Sequence, residues 1–153
     1  MKNCRLFSGL LLGFMICNAA SCGVPSGNLI KNPGFELSKS TPDGWTVTGP
    51  VATMMPVITV DSRLKFSDSQ SLKMLSTNPN GHGKVVQTIQ VKDGQTYQFS
   101  ARFRAENIAS IDKSVLIRIK WFKGKEQVGY NYIYHLSDDR DGWLLASDRI
   151  KAA

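Results

Sequence analysis

The decapeptide Thr96-Tyr97-Gln98-Phe99-Ser100-Ala101-Arg102-Phe103-Arg104-Ala105 alternates without a break. Tyr97, Phe99, Ala101 and Phe103 share one register, and Gln98, Ser100, Arg102 and Arg104 share the other. A period of two belongs to a pleated strand, whose successive side chains leave opposite faces. The stretch therefore reads as a strand with an apolar face turned inward and a polar face turned out. Its neighbours follow the same rule. Residues 84–91 lead into it through the turn Lys92-Asp93-Gly94, and Val115, Ile117, Ile119 and Trp121 alternate with Leu116, Arg118, Lys120 and Phe122.

Further out, residues 127–134 and 143–150 are strand-like runs divided by the polar loop 137–142. Trp45-Thr46-Val47-Thr48 follows the turn Pro42-Asp43-Gly44. Residues 51–60 are apolar and β-branched but contain Pro56, which predicts an edge strand or two pieces. No window after the first segment carries a sustained helical period. Short strands at regular spacing predict an all-β sandwich or barrel. The 153 residues suit one such domain, and 42% hydrophobic with 20% charged residues is a globular composition.

The first segment reads differently. Lys2 and Arg5 precede an apolar run over residues 6–17, and Asn18-Ala19-Ala20-Ser21 then lead to Cys22. Charged, apolar and small residues in that order form a secretory signal. The apolar run falls short of the roughly 20 residues a membrane-spanning helix needs. Ala19-Ala20-Ser21-Cys22 resembles a bacterial lipobox, whose cysteine takes lipid and becomes the mature N-terminus. The alternative is plain cleavage near Ala20, which leaves Cys22 a free thiol on a secreted soluble protein. Cys4 and Cys17 lie within the signal, so no disulfide forms in the mature chain. The expected division is residues 1–21 as signal, 22–27 as lipidated Cys22 and tether, and 28–153 as the folded domain. Removing residues 1–21 lowers the +7 formal charge by two units.

Asn28-Leu29-Ile30-Lys31-Asn32-Pro33-Gly34-Phe35-Glu36, followed by Asp43-Gly44-Trp45, resembles the opening of carbohydrate-binding modules of the family four and nine type. Later segments match in order: Ser69-Gln70-Ser71-Leu72-Lys73, Val86-Gln87-Thr88-Ile89, Gly94-Gln95-Thr96-Tyr97 with Ser100-Ala101, and Gly142-Trp143. The resemblance implies a β-sandwich jelly roll of the galactose-binding-like kind. It also implies a structural calcium ion held by Glu36 and by oxygens of the loop from Asp68 to Ser71. Such modules continue past the equivalent of Ala152-Ala153 into a last strand ending in an acidic pair. By resemblance, residues 28–153 are thus incomplete at their C-terminal end.

Catalytic signatures are missing. His82 and His135 stand in no metal-ligand spacing, no nucleophile elbow or phosphate-cradling loop is present, and no carboxylate pair is singled out. Ser137, Asp139, Asp141 and Asp148 fall at ligand positions of an EF-hand-like calcium loop, and Gly142 at its turn position. Ser in the first place, Asp in the last and no flanking helices favour a polar strand connection instead. Sugar binding needs apolar ring faces beside polar groups. Tyr130, Tyr132 and Tyr134 alternate along one strand. They either form an outward platform or point into the core, leaving Asn131, Ile133 and His135 outside. Arg102, Arg104, Arg118 and Lys120 occupy polar registers of two strands, and if those strands share a sheet its face is basic. Guanidinium groups bind carboxylates and sulfates bidentately, which points to an acidic glycan. Trp45, Trp121 and Trp143 read as core.

The expected function is a non-catalytic module, lipid-anchored to a bacterial membrane or cell surface, that binds polysaccharide or oligosaccharide. Two alternatives stand beside it: the binding fragment of a glycoside hydrolase whose catalytic domain is absent, and a structural or protein-binding lipoprotein on the same fold. The exported location and the absence of a basic run argue against nucleic acid.

Overall fold

The computed structural model describes residues 10–19, 27–37, 42–78 and 80–153, the first of these stretches as main chain. In chain order the strands are β1 (Leu10–Ala19), β2 (Thr46–Thr48), β3 (Val57–Asp61), β4 (Ser71–Leu75), β5 (Lys84–Val86) and β6 (Thr96–Ala105). After a four-residue helix, α1 (Ile111–Ser114), come β7 (Ile117–Lys123), β8 (Glu126–Ile133), β9 (Leu136–Asp138) and β10 (Leu144–Lys151). One sheet has six strands in the order β3-β4-β1-β6-β10-β9, and two smaller sheets pair β2 with β5 and β7 with β8. Every pairing is antiparallel. The chain is all-β, as the alternation of the decapeptide predicts.

β6 follows that alternation residue by residue. Tyr97, Phe99, Ala101 and Phe103 are buried, while Gln98, Ser100, Arg102 and Arg104 are half-buried on the opposite face. The buried row meets the β7–β8 hairpin, where the Phe99 and Trp121 rings stand edge to face at 6.1 Å. Ile133 of β8, Ala146 and Ile150 of β10, Ile30 and Ala152 complete this core. A sheet hydrophobic on one face must cover it with a second layer, and the hairpin does so. Trp45, Ile89 and Val91 pack against the same cluster from the β2–β5 side.

Local chemistry explains the departures from the predicted strands. Pro56 lacks an amide hydrogen for a ladder, so residues 51–60 split into a 3-10 turn at Ala52–Met54 and the sheet-edge strand β3. The 84–91 run forms a strand only over Lys84–Val86, although its burial keeps alternating through Val91. Ser71–Leu75 and Leu136–Asp138 are additional strands, too short or too mixed to show alternation. Leu10–Ala19, within the segment read as an export signal, is a strand of the large sheet. Gly94, at φ +73°, makes the turn before β6, where the Lys92 amide donates to the Tyr97 hydroxyl at 2.7 Å.

Phe103 is fully buried in β6, between β1 and β10. Phe103→Ala is expected to cost about 3–5 kcal/mol, and Phe103→Leu under about 2 kcal/mol. Urea unfolding checks this: the midpoint should fall in that order while the slope stays constant.

Candidate functional site

The β7–β8 hairpin decides which way its aromatic residues point. Its register pairs Ile117 with Ile133, Arg118 with Tyr132, Ile119 with Asn131, Lys120 with Tyr130 and Trp121 with Gly129. Trp121 is buried, and a buried indole N–H needs an acceptor. Asn131 supplies it, accepting from Trp121 Nε1 at 2.6 Å. Gly129 faces the same ring, and a Cβ built there would lie 3.5 Å from Trp121 Cδ1. Gly129, Asn131 and Ile133 therefore share the register of Trp121, with Ile133 buried and Asn131 still exposed, and Tyr130, Tyr132 and Tyr134 take the opposite register. Of the two readings open in the sequence, the outward one is what the structure shows.

Tyr130 is 60% exposed and Tyr134 72%, with Tyr132 half-buried between them. The rings form a contact row. Tyr130 and Tyr132 lie 5.7 Å apart at 77°, and Tyr132 and Tyr134 lie 5.6 Å apart at 35°. The row is corrugated rather than flat. Two cations run alongside it on β7. The Arg118 guanidinium carbon stands 5.8 Å from the Tyr132 ring centroid, and its Nη1 donates to the Tyr132 hydroxyl at 3.4 Å. Lys120, abreast of Tyr130, is exposed. A cation near an aromatic ring is attracted by the ring's quadrupole, so Arg118 helps to fix the Tyr132 ring. The exposed Leu116, Phe122 and Val128 extend the apolar character of this hairpin surface.

The expected four-cation face is corrected by the sheet topology. Arg102 and Arg104 lie on β6 in the six-stranded sheet, whereas Arg118 and Lys120 lie on β7 in a separate one. The β6 pair is also committed elsewhere. Arg102 Nε donates to Asp139 Oδ2 at 2.7 Å, and its guanidinium sits 4.5 Å from the Phe66 ring centroid. Arg140 approaches the same ring at 4.2 Å and donates to the Phe66 carbonyl, while Trp143 meets that ring edge to face at 5.7 Å. Arg104 pairs with Glu106 at 3.1 Å. These contacts lock loops to the sheet. Phe66 and Asp139 are distant from Arg102 in sequence, and alternation within a strand does not mark them as its partners.

Glu36 does approach the loop that the resemblance pairs it with. It meets donors there. Its carboxylate accepts from the amides of Ser69 and Gln70, at 3.2 and 3.1 Å, and from the Ser69 hydroxyl. Ser71 is fully buried and donates its hydroxyl to the Leu64 carbonyl at 2.5 Å, and Asp68 accepts from the Ser67 hydroxyl. Among the described residues no group of three or more His, Cys, Asp or Glu side chains could hold a metal ion. Carboxylate–amide bonds tie Glu36 to this loop, as an anion among N–H groups does. The 137–142 loop is the polar connection the sequence favoured. Asp139 caps a 3-10 turn through the Arg140 amide, and Asp148 lies on β10. Nearby, Gln87 braces the chain by accepting from the Lys31 amide and donating to the Lys31 and Gly44 carbonyls. Trp45 donates its indole N–H to the Asn32 carbonyl and packs on Phe35 at 5.4 Å. Trp121 and Trp143 are buried, so core is their role. Cys22, the expected lipid acceptor, lies outside the described residues.

No protein-family model, curated protein or solved structure matches this chain. The likeness to carbohydrate-binding modules thus rests on the ordered motifs alone.

The Arg102 hydrogen bond, followed by the Arg140 amide, holds the Asp139 carboxyl below the ordinary carboxylate value. At Asp61, burial pushes the carboxyl up, but the Arg63 and Leu64 amides and Lys73 outweigh it and the net direction is down. A depressed folded-state value contributes stability above the unfolded value and loses it as pH falls through the folded one. Asp139→Asn is therefore expected to lower the urea midpoint at neutral pH. The gap from the unsubstituted protein should close as pH falls below the carboxylate range, and a constant gap would contradict the assignment.

Proposed function

We propose that the protein is a non-catalytic polysaccharide-binding module whose binding surface is the outer face of the β7–β8 hairpin. The observation carrying this reading is the row of Tyr130, Tyr132 and Tyr134, turned away from the core with Arg118 and Lys120 alongside. Pyranose rings present C–H faces that stack on aromatic rings, and hydroxyls that bond to tyrosine oxygens and cationic donors. Steps of 5.6 and 5.7 Å between rings suit successive sugars of a linear chain lying along the strand. Arg118 and Lys120 favour chains bearing carboxylate or sulfate. The ordered motifs support a galactose-binding-like jelly roll as the specific sandwich. Export by residues 1–21, with lipid on Cys22, would display the module at a bacterial surface. There it holds polymer close and raises local concentration without breaking bonds.

Affinity electrophoresis of the purified protein through gels of neutral and acidic polysaccharides tests the reading. Retardation is expected to be strongest in an acidic polymer and to weaken with salt. Tyr132→Ala should reduce affinity about tenfold, the scale of one lost ring contact. Arg118→Ala should weaken acidic-polymer binding selectively, and Arg104→Ala should leave it unchanged. Migration indifferent to every polymer, or unaltered by Tyr132→Ala, rejects the function.

A further inference from the structure

β4 and β6 are neighbours only through β1. On one side Leu10, Leu11 and Leu12 pair with Met74, Lys73 and Leu72, and on the other with Ala105, Arg104 and Phe103. Residues 15–19 continue along β6, from Ala101 to Tyr97. Between them the register shifts, so that Gly13 and Phe14 oppose Arg102 alone. Two residues against one is a bulge, and glycine is a residue that bulges accept. β1 runs antiparallel to both neighbours, and its ten residues LLLGFMICNA carry no charge.

Strands in a sheet stand about 4.8 Å apart, so β4 and β6 flank a position of roughly twice that width. Without an occupant, neither edge can reach the other. Two rows of amide and carbonyl groups would then go unpaired at the middle of the sheet, beside the fully buried Leu72 and Phe103. Those same ten residues lie in the segment that reads as an export signal.

We infer that the gap between β4 and β6 is a strand-binding site. Leu10–Ala19 fills it in the unprocessed chain. Once export removes residues 1–21, it takes an extended apolar segment of another polypeptide, antiparallel to both edges. Strand addition draws its affinity from main-chain hydrogen bonds and its selectivity from alternate side chains. The fitting partner is an uncharged, β-prone segment of about ten residues, with a small residue at the bulge opposite Arg102. The second half of the inference rests on the export reading. Neither half involves the tyrosine row.

The experiment uses the full chain with a protease site introduced within residues 20–27, cut after folding. The probe is a fluorescent peptide of sequence LLLGFMICNA flanked by lysines. The cut protein should capture the peptide at least about tenfold better than the uncut protein, and a peptide with proline in place of Leu11 and Ile16 should not bind. Cut Tyr132→Ala protein should capture it equally well, which separates this site from polysaccharide binding. If cutting unfolds the domain, added peptide should restore the near-ultraviolet circular dichroism. A second measurement needs no cut: Leu11→Pro in the full chain should speed amide exchange at residues 72–74 and 103–105 and spare residues 130–133. Folded, cut protein that captures nothing, capture that ignores the prolines, unfolding that peptide fails to reverse, or unchanged exchange in Leu11→Pro would each overturn the inference.

Discussion

Trp121 has to satisfy two demands at once, and the molecule is arranged around both. Its ring must be buried, because it closes the core against Phe99 of the opposite layer. Its N–H must be bonded, because a buried donor without a partner costs about 1–3 kcal/mol. Asn131 meets the second demand across the hairpin and thereby fixes which residues of β8 face in. A one-residue slip would move every side chain of the strand to the other face. Three tyrosines would then take the register of Gly129, Asn131 and Ile133, and the Trp121 N–H would lose its acceptor. The exposed aromatic row is thus a consequence of how the core is satisfied.

The two sets of cations show how context assigns a role to one residue type. On β6 the outward face lies within reach of the 137–142 loop and Phe66, so Arg102 finds a carboxylate and an aromatic ring. Two guanidinium groups beside one ring repel each other, and Asp139 offsets that charge at short range. On β7, Arg118 and Lys120 form no ion pair among the described residues. Arg118 rests against a tyrosine, and its charge remains directed at solvent. The first pair fastens loops to a sheet, while the second colours a surface.

Much of this was legible in the sequence, for reasons that differ by element. β6 and β7 could be read because one face of each is buried and the other is not, which writes the period of two into the residues. The Pro56 break could be read because proline cannot donate to a ladder. β4 and β9 could not, since five and three residues give alternation too little length. The orientation of Tyr130, Tyr132 and Tyr134 was undecidable locally. Inward and outward registers both contain residues that sheets accept, and the Trp121–Asn131 bond that chooses between them spans two strands. Whether Arg102 and Arg118 share a sheet is a matter of topology, and alternation within a strand carries no information about its neighbour. Glu36 shows the opposite pattern: motif order located its partners, but the amides it meets belong to the main chain and leave no mark on side-chain identity.

The insertion of β1 also sets an order of events during synthesis. Leu10 pairs with Ala105 and Ala19 with Tyr97, so the strand made first waits for partners made much later. Long-range pairings of this kind form slowly, because most of the intervening loop must be closed before any bond rewards it. Through that interval the apolar segment is unclaimed by the sheet. If residues 1–21 direct export as proposed, translocation and folding compete in time for the same ten residues. The long sequence separation between β1 and β6 would then give translocation the earlier opportunity.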